Sequence, residues 1–165
     1  EAFGLKVLIT RMFTHTGPRR GDVFAESSFA KQIALIEEKK IGKTIKVGNL
    51  NSMRTYADVR DAVRAYYLLL TKNVNPGEIY NIGGNYSCTV REMLNYLLSL
   101  SKVKNIKIVK DSSRFRPIDA DLQIPNANKF KKLTGWKPKI NFEKTMLDLL
   151  NYWRQKVKKQ NFLDR

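Results

Sequence analysis

Leu5-Lys6-Val7-Leu8-Ile9-Thr10-Arg11-Met12-Phe13, followed at once by Thr14-His15-Thr16-Gly17-Pro18-Arg19-Arg20-Gly21-Asp22, is the passage on which the fold turns. The first nine residues are largely β-branched and apolar and predict a buried strand. The next nine are turn material that carries a hydroxyl, an imidazole and two guanidinium groups. A helix should follow over residues 26–39, with Phe29, Ile33 and Ile36 on one face and Ser27 or Ser28 near its start. Strand, polar turn and helix in that order form the repeating unit of a parallel α/β sheet.

The same alternation continues outward. Residues 44–47 read as a short strand. Residues 56–71 read as a helix whose apolar positions are Val59, Val63, Tyr66, Tyr67 and Leu70. Asn75-Pro76-Gly77 marks a turn, and residues 78–82 a strand closed by Gly83-Gly84. Thr89 and Glu92 have the spacing of a capping box, opening a helix to about residue 101. A strand over 106–109, a helix over 126–134 stopped by Gly135, and a last helix from Asn141 or Phe142 to about 158 complete the chain. The pattern predicts an α/β class with largely parallel strands. No Gly-x-Gly-x-x-Gly or Gly-x-x-x-x-Gly-Lys loop occurs, so nothing here cradles a dinucleotide pyrophosphate by itself.

Composition narrows the function classes. At 165 residues, 42% hydrophobic and 28% charged, the chain suits one soluble globular domain. No apolar run approaches the roughly 20 residues of a membrane helix. Glu1-Ala2-Phe3-Gly4 is neither an initiator Met nor a signal peptide, and a chain cut from something longer is expected. Cys88 is the single cysteine, which excludes an intrachain disulfide or a cysteine zinc cluster and fits a reducing cytoplasm. With the only histidine, His15, distant in sequence, Cys88 is expected to be a structural thiol. Thirty-one Lys and Arg against 15 Asp and Glu give a formal charge of +16. That favours polyanions, whether nucleic acid, an anionic surface or a phosphorylated small molecule. The lysine runs at 129–132 and 156–159 are expected to be solvated helix faces. A nucleic-acid surface would interleave aromatics with lysines, whereas Tyr66-Tyr67 and Tyr152-Trp153 sit at helix-core spacing, so nucleic acid is disfavoured.

Three segments hold polar groups beyond the needs of a scaffold. Arg11–Arg20 lies at a strand's carboxyl end, where ligands of parallel α/β sheets bind. It offers Thr14, His15, Arg19 and Arg20, and the arginine fork suits phosphate; the bland alternative is a loop whose arginines face water. In Val47–Asp58, Arg54 stands just before a predicted helix whose dipole favours anions. In Arg114-Phe115-Arg116-Pro117-Ile118-Asp119, an arginine and an acid could hold phosphate and a ribose diol, or simply pair with each other.

These segments resemble the C-terminal portion of the extended short-chain dehydrogenase/reductases acting on nucleotide sugars, most closely the GDP-mannose 4,6-dehydratases. His15-Thr16-Gly17-Pro18-Arg19-Arg20-Gly21 with Phe24, Val47-Gly48-Asn49-Leu50 with Arg54, Phe115-Arg116-Pro117 with Asp119, and Leu133-Thr134-Gly135-Trp136-Lys137-Pro138 match in order and spacing. The resemblance implies the C-terminal portion of an NAD(P)-binding Rossmann-type enzyme, with its small substrate-binding domain over residues 1–165. It implies cofactor contacts from His15 and Arg20, with NADP as cofactor and NAD as the alternative. It implies substrate contacts from Thr14, Lys31, Arg54, Arg116 and Asp119 to a GDP-sugar, and no metal. The implied reaction converts GDP-mannose to its 4-keto-6-deoxy form with loss of water; an epimerase or 4-keto reductase is the variant. The family's glycine loop and catalytic Tyr-x-x-x-Lys have no counterpart here, so the chain is expected to lack catalytic residues and, alone, activity. Relatives of this kind form homodimers or homotetramers. Thr14 stands where the family has Asn, and Thr55 where it has Asp after the arginine, which leaves Arg54 without that orienting carboxylate.

Overall fold

The capping box at Thr89 and Glu92 forms as its spacing requires. The Thr89 hydroxyl accepts from the Glu92 N–H at 3.1 Å, and the Glu92 carboxylate accepts from the Thr89 N–H at 2.7 Å. Gly135 ends its helix in the left-handed conformation at φ 69°, as a C-terminal glycine does. Such signals punctuate the computed structural model of the chain, which describes residues 3, 4, 6–72, 75–115 and 120–159. β1 (Ile9–Met12) and β2 (His15–Thr16) lead into α1 (Ala25–Glu37), and β3 (Thr44–Val47) and β4 (Met53–Asp58) into α2 (Val59–Thr71). β5 (Ile79–Ile82) and β6 (Tyr86–Thr89) precede α3 (Val90–Ser99). β7 (Lys107–Lys110), a 3₁₀ turn (Ser112–Arg114) and β8 (Leu122–Gln123) precede α4 (Asn128–Thr134) and α5 (Phe142–Lys159).

The predicted α/β class holds, and the strands are largely parallel. β1 pairs with β5 and β3 with β7, both parallel. β4 organises the remaining sheet, with β6 antiparallel on one edge. β2 and β8 both run parallel to β4, through His15–Ala57 and Arg54–Gln123. The N–H groups of Met53 and Ala57 donate to Asp121 and Thr14 respectively. Four residues apart on one strand, they point to the same edge, so β8 and β2 follow one another along it.

Two apolar clusters hold these parts. The larger joins α1, α3 and α5 to β3, β4 and β6 around Ile33, Ile45, Met93, Leu97, Met146 and Leu149. Arg154 ties its helices together, donating to both Glu37 carboxylate oxygens at 2.7 and 2.8 Å and to the Leu100 carbonyl. The smaller cluster packs α2 and α4 on β5 through Leu69, Tyr80, Ile82, Phe130 and Trp136. Asp61 is its polar hub. Its Oδ2 accepts from the Lys139 and Ile140 N–H groups at 2.8 and 2.9 Å, its carbonyl accepts from the Trp136 indole, and Arg64 pairs with its Oδ1 at 2.8 Å.

Several expectations fail, each for an identifiable reason. The strand predicted over 5–13 shortens to β1, and it is half-exposed rather than buried: among the described residues it has one strand neighbour, and Ile9 stays open. The helix predicted from Tyr56 begins at Val59, because Tyr56–Asp58 continue β4 until the Asp58 carboxylate accepts from the Arg60 N–H at 2.8 Å and caps α2. Ser27 and Ser28 do not cap α1; Phe24 holds that position, and both serines are buried in the first turn. α2 packs through Leu69 and through Ala62 and Ala65, two small residues that let the helix approach closely. Val63, Tyr67 and Leu70, expected in the core, are exposed, and Tyr66 is 39% exposed. Among the described residues no helix is long and apolar enough to cross a membrane.

Candidate functional site

Where β8 and β2 meet along the edge of β4, a recess of about 370 Å³ opens, lined by Arg11, Thr14, His15, Arg20 and Gln123 with Met12 and Phe13. It sits beyond the carboxyl end of β1, where parallel sheets expose unpaired main-chain groups to ligands. Three of the expected site residues, Thr14, His15 and Arg20, come together here. The Thr14 carbonyl accepts from the Ala57 N–H at 2.9 Å, which fixes the strand end. His15 Nδ1 lies 3.3 Å from the Phe13 carbonyl, a pure acceptor, so Nδ1 carries the proton. The neutral ring then presents Nε2 as an acceptor, and the charged ring presents a second donor.

Arg20 is held from three directions. Its guanidinium carbon lies 3.4 Å from the Phe24 ring centroid. Its Nε is 3.5 Å from Glu26 Oε1, an ion pair rather than a hydrogen bond, so both buried atoms lack a hydrogen-bond partner among the described residues. Its carbonyl accepts from the Ser27 hydroxyl at 2.7 Å, and the Ser27 oxygen accepts from the Trp153 indole N–H at 2.8 Å. The turn is thus pinned to α5 through a single serine.

Arg54 occupies mid-β4, opposite Gln123 of β8, and donates to the Met53 and Ala120 carbonyls at 2.9 and 2.6 Å. The helix dipole expected to assist it is already satisfied, since Asp58 caps α2 and binds the Arg60 guanidinium at 2.7 Å. Thr55 is buried and shares a 2.7 Å hydrogen bond with Ser87. Lys31 does not join the recess; its ammonium donates to Asp22 at 2.7 Å beside Trp153. Arg116 and Asp119 lie outside the described residues. No group of three or more His, Cys, Asp or Glu able to hold a metal occurs among those described. Cys88 is buried, as expected of a structural thiol, and Trp153 is buried as its spacing implied.

Sequence reasoning missed Gln123 and Glu26. Gln123 belongs to a two-residue strand, too short to carry a periodicity. Glu26 read as an ordinary first-turn acid, and only its burial beside Arg20 marks it out.

An α/β fold with a cationic recess at the strand ends is compatible with extended short-chain dehydrogenase/reductases, and the comparisons place the chain among them. The structure of RMD from Pseudomonas aeruginosa complexed with NADPH superposes with a TM-score of 0.84 at 29% identity, covering 93% of this chain and 50% of that one. The family profile described as GDP-mannose 4,6 dehydratase matches residues 1–149, and the chain belongs to that family. GDP-6-deoxy-D-mannose reductase of Pseudomonas aeruginosa is 29% identical over 95% of this chain and 51% of its own length. GDP-mannose 4,6 dehydratase 1 of Arabidopsis thaliana is 30% identical over 99% of this chain and 45% of its own. The chain therefore spans about half the length of the curated relatives it matches.

Proposed function

We propose that this chain is the nucleotide-sugar-holding part of an NADP-dependent enzyme that converts GDP-mannose to its 4-keto-6-deoxy form and water. The observation that carries the reading is the recess at the β1 and β2 strand ends, whose described lining holds two arginines and a histidine. Such a set fits phosphate-bearing ligands, because guanidinium forks bind phosphate oxygens in pairs, and Arg20 keeps its terminal nitrogens for a ligand while its Nε faces Glu26. His15 and Arg20 are assigned to the cofactor. Thr14 and Arg54 are assigned to the sugar nucleotide, with Arg116 and Asp119 as diphosphate and ribose contacts. Lys31, set apart beside Asp22, has the weakest claim to a place in that set. A nicotinamide cofactor supplies hydride transfer when bound. This chain's own residues hold the two ligands in register, which is where orientation lowers the barrier.

The glycine loop and the Tyr–Lys pair then belong to the remainder of the protein. The edge of β1 that has no strand neighbour among the described residues and the exposed apolar face of α2 support a further layer of protein there. A homodimer or homotetramer and a cytoplasmic setting follow the same reading, the latter in keeping with one buried thiol. The similarity to a GDP-6-deoxy-D-mannose reductase favours one second reading, reduction of the 4-keto sugar by NADPH.

The deciding experiment incubates the complete protein with GDP-mannose and NADP and follows the product by mass spectrometry. Formation of a product lighter by one water supports the dehydratase. Inertness toward GDP-mannose together with NADPH oxidation on the 4-keto-6-deoxy sugar selects the reductase. Activity on neither sinks both.

A further inference from the structure

On the other side of the Gly17–Arg20 turn lies a second recess of about 320 Å³, between that turn and the flank of α5. Arg19, Arg20, Asp22, Lys31, Trp153 and Lys156 line it. Its charge is unbalanced. Asp22 is engaged by Lys31 at 2.7 Å, and Arg20 faces Glu26. Neither Arg19 nor Lys156 has a carboxylate within ion-pair distance among the described residues. The Asp22 carboxyl is held below its usual range, chiefly by the Lys31 hydrogen bond and further by the charge of Lys156, so all three groups share one electrostatic field.

Trp153 gathers the cations. Its indole N–H is spent on Ser27, and its ring lies 5.6 Å from the Lys31 ammonium and 4.8 Å from that of Lys156. Asp22 is the one carboxylate among the described lining residues, against the four cations Arg19, Arg20, Lys31 and Lys156, so a positive excess remains for an added anion. Arg19 adds a second sign of a built site. It adopts φ 72°, a left-handed conformation unfavourable for a residue with a Cβ. Strain of this kind clusters at ligand clamps.

We propose that this recess is a phosphate-binding site, separate from the Thr14–His15 recess, in which Arg19, Lys31 and Lys156 take the phosphoryl group of a small phosphorylated ligand. Phosphate fits better than a carboxylate because its several acceptor oxygens can meet three cations at once. Trp153 is only 3% exposed, and the half-buried Tyr152 also borders the recess. Recognition centres on the phosphoryl group, which the cations meet. Arg20 borders both recesses, so a ligand here stiffens the turn that also shapes the first.

The test titrates the protein with inorganic phosphate, pyrophosphate and GDP at ionic strength held constant with chloride, using calorimetry and tryptophan emission. Saturable binding is expected, with GDP no tighter than pyrophosphate. Arg19→Glu and Lys156→Glu should each weaken pyrophosphate by about tenfold or more, since each reverses a charge at the phosphoryl group. Lys104→Glu, the same change of net charge on an exposed lysine elsewhere, should leave it unaltered. Lys156→Gln repeats the test with a milder change, and circular dichroism checks each fold. The proposal is overturned by a non-saturating response that chloride reproduces. It is equally overturned by binding that survives Arg19→Glu and Lys156→Glu but is lost in Arg11→Ala, which would place the anion at the first recess.

Discussion

At Gly84 the chain passes so close to β4 that an added Cβ would lie 1.7 Å from the Tyr56 carbonyl oxygen. That oxygen is main chain within a sheet and cannot swing aside as a flexible side chain would. Gly84→Ala is therefore expected to destabilise the fold by roughly 3 kcal/mol, lowering the melting temperature by about 6–12 °C. An unchanged melting curve would show that the backbone relaxes freely there. Cys88 offers a second test. Burial, helped by the nearby Glu92 charge, pushes its thiol up to about 12. At pH 8 it should stay silent toward an aromatic disulfide reagent and react fully once denatured. The sequence made Cys88 readable, because one thiol without partners leaves few roles. Gly83-Gly84 showed only as a pair with the wrong spacing for a phosphate loop, since close approach between segments 28 residues apart leaves no local mark.

At the scale of elements, what joins α2 to its neighbours is carboxylate chemistry. Burial works to raise Asp58, but hydrogen bonds from Arg60 and Thr145 outweigh it and hold the carboxyl below its usual range. Glu37 is lowered in the same way, burial being outweighed by Arg154 and the Lys102 N–H. A depressed folded value means stability that is fully present above the ordinary carboxylate range and is lost as pH falls through the folded value. The melting temperature should hold down to about pH 5 and fall below about pH 4. Asp58→Asn should lower it at neutral pH and flatten part of that acid slope. Asp61→Ala strands the Lys139 and Ile140 N–H groups and should cost about 3 kcal/mol in denaturant melts. Caps and stops were legible because they are local: Thr89 with Glu92, and Gly135. The face of α2 was not. Val63, Tyr67 and Leu70 suggested a core, whereas the structure buries the stripe of Ala62, Ala65 and Leu69, and which stripe faces inward depends on what the helix packs against.

Over the whole molecule, the exposed stripe of Val63, Tyr67 and Leu70 is the kind of surface that drives association. Replacing all three with Ser is expected to shift the isolated chain toward monomer in sedimentation velocity. The cost in stability should be small, because these positions bury little. Parallel α/β architecture was legible from the alternation of elements, and so was the gathering of Thr14, His15 and Arg20, which share one turn. Lys31 and Arg54 were placed less well by sequence. A helix of 13 residues points its side chains around a full circle, and β4 went unread, its last three residues falling in an expected helix and its first three in no element.

The link from Trp153 through Ser27 to the Arg20 carbonyl spans 126 positions between indole and hydroxyl. A ribosome delivers the turn well over a hundred residues ahead of the tryptophan. Until α5 clears the exit tunnel, Arg20 lacks the anchor that fixes its loop, so the pocket is finished only once that helix has been made. A nascent chain stalled before residue 153 carries every side chain that lines the first recess, yet not the shape that aligns them.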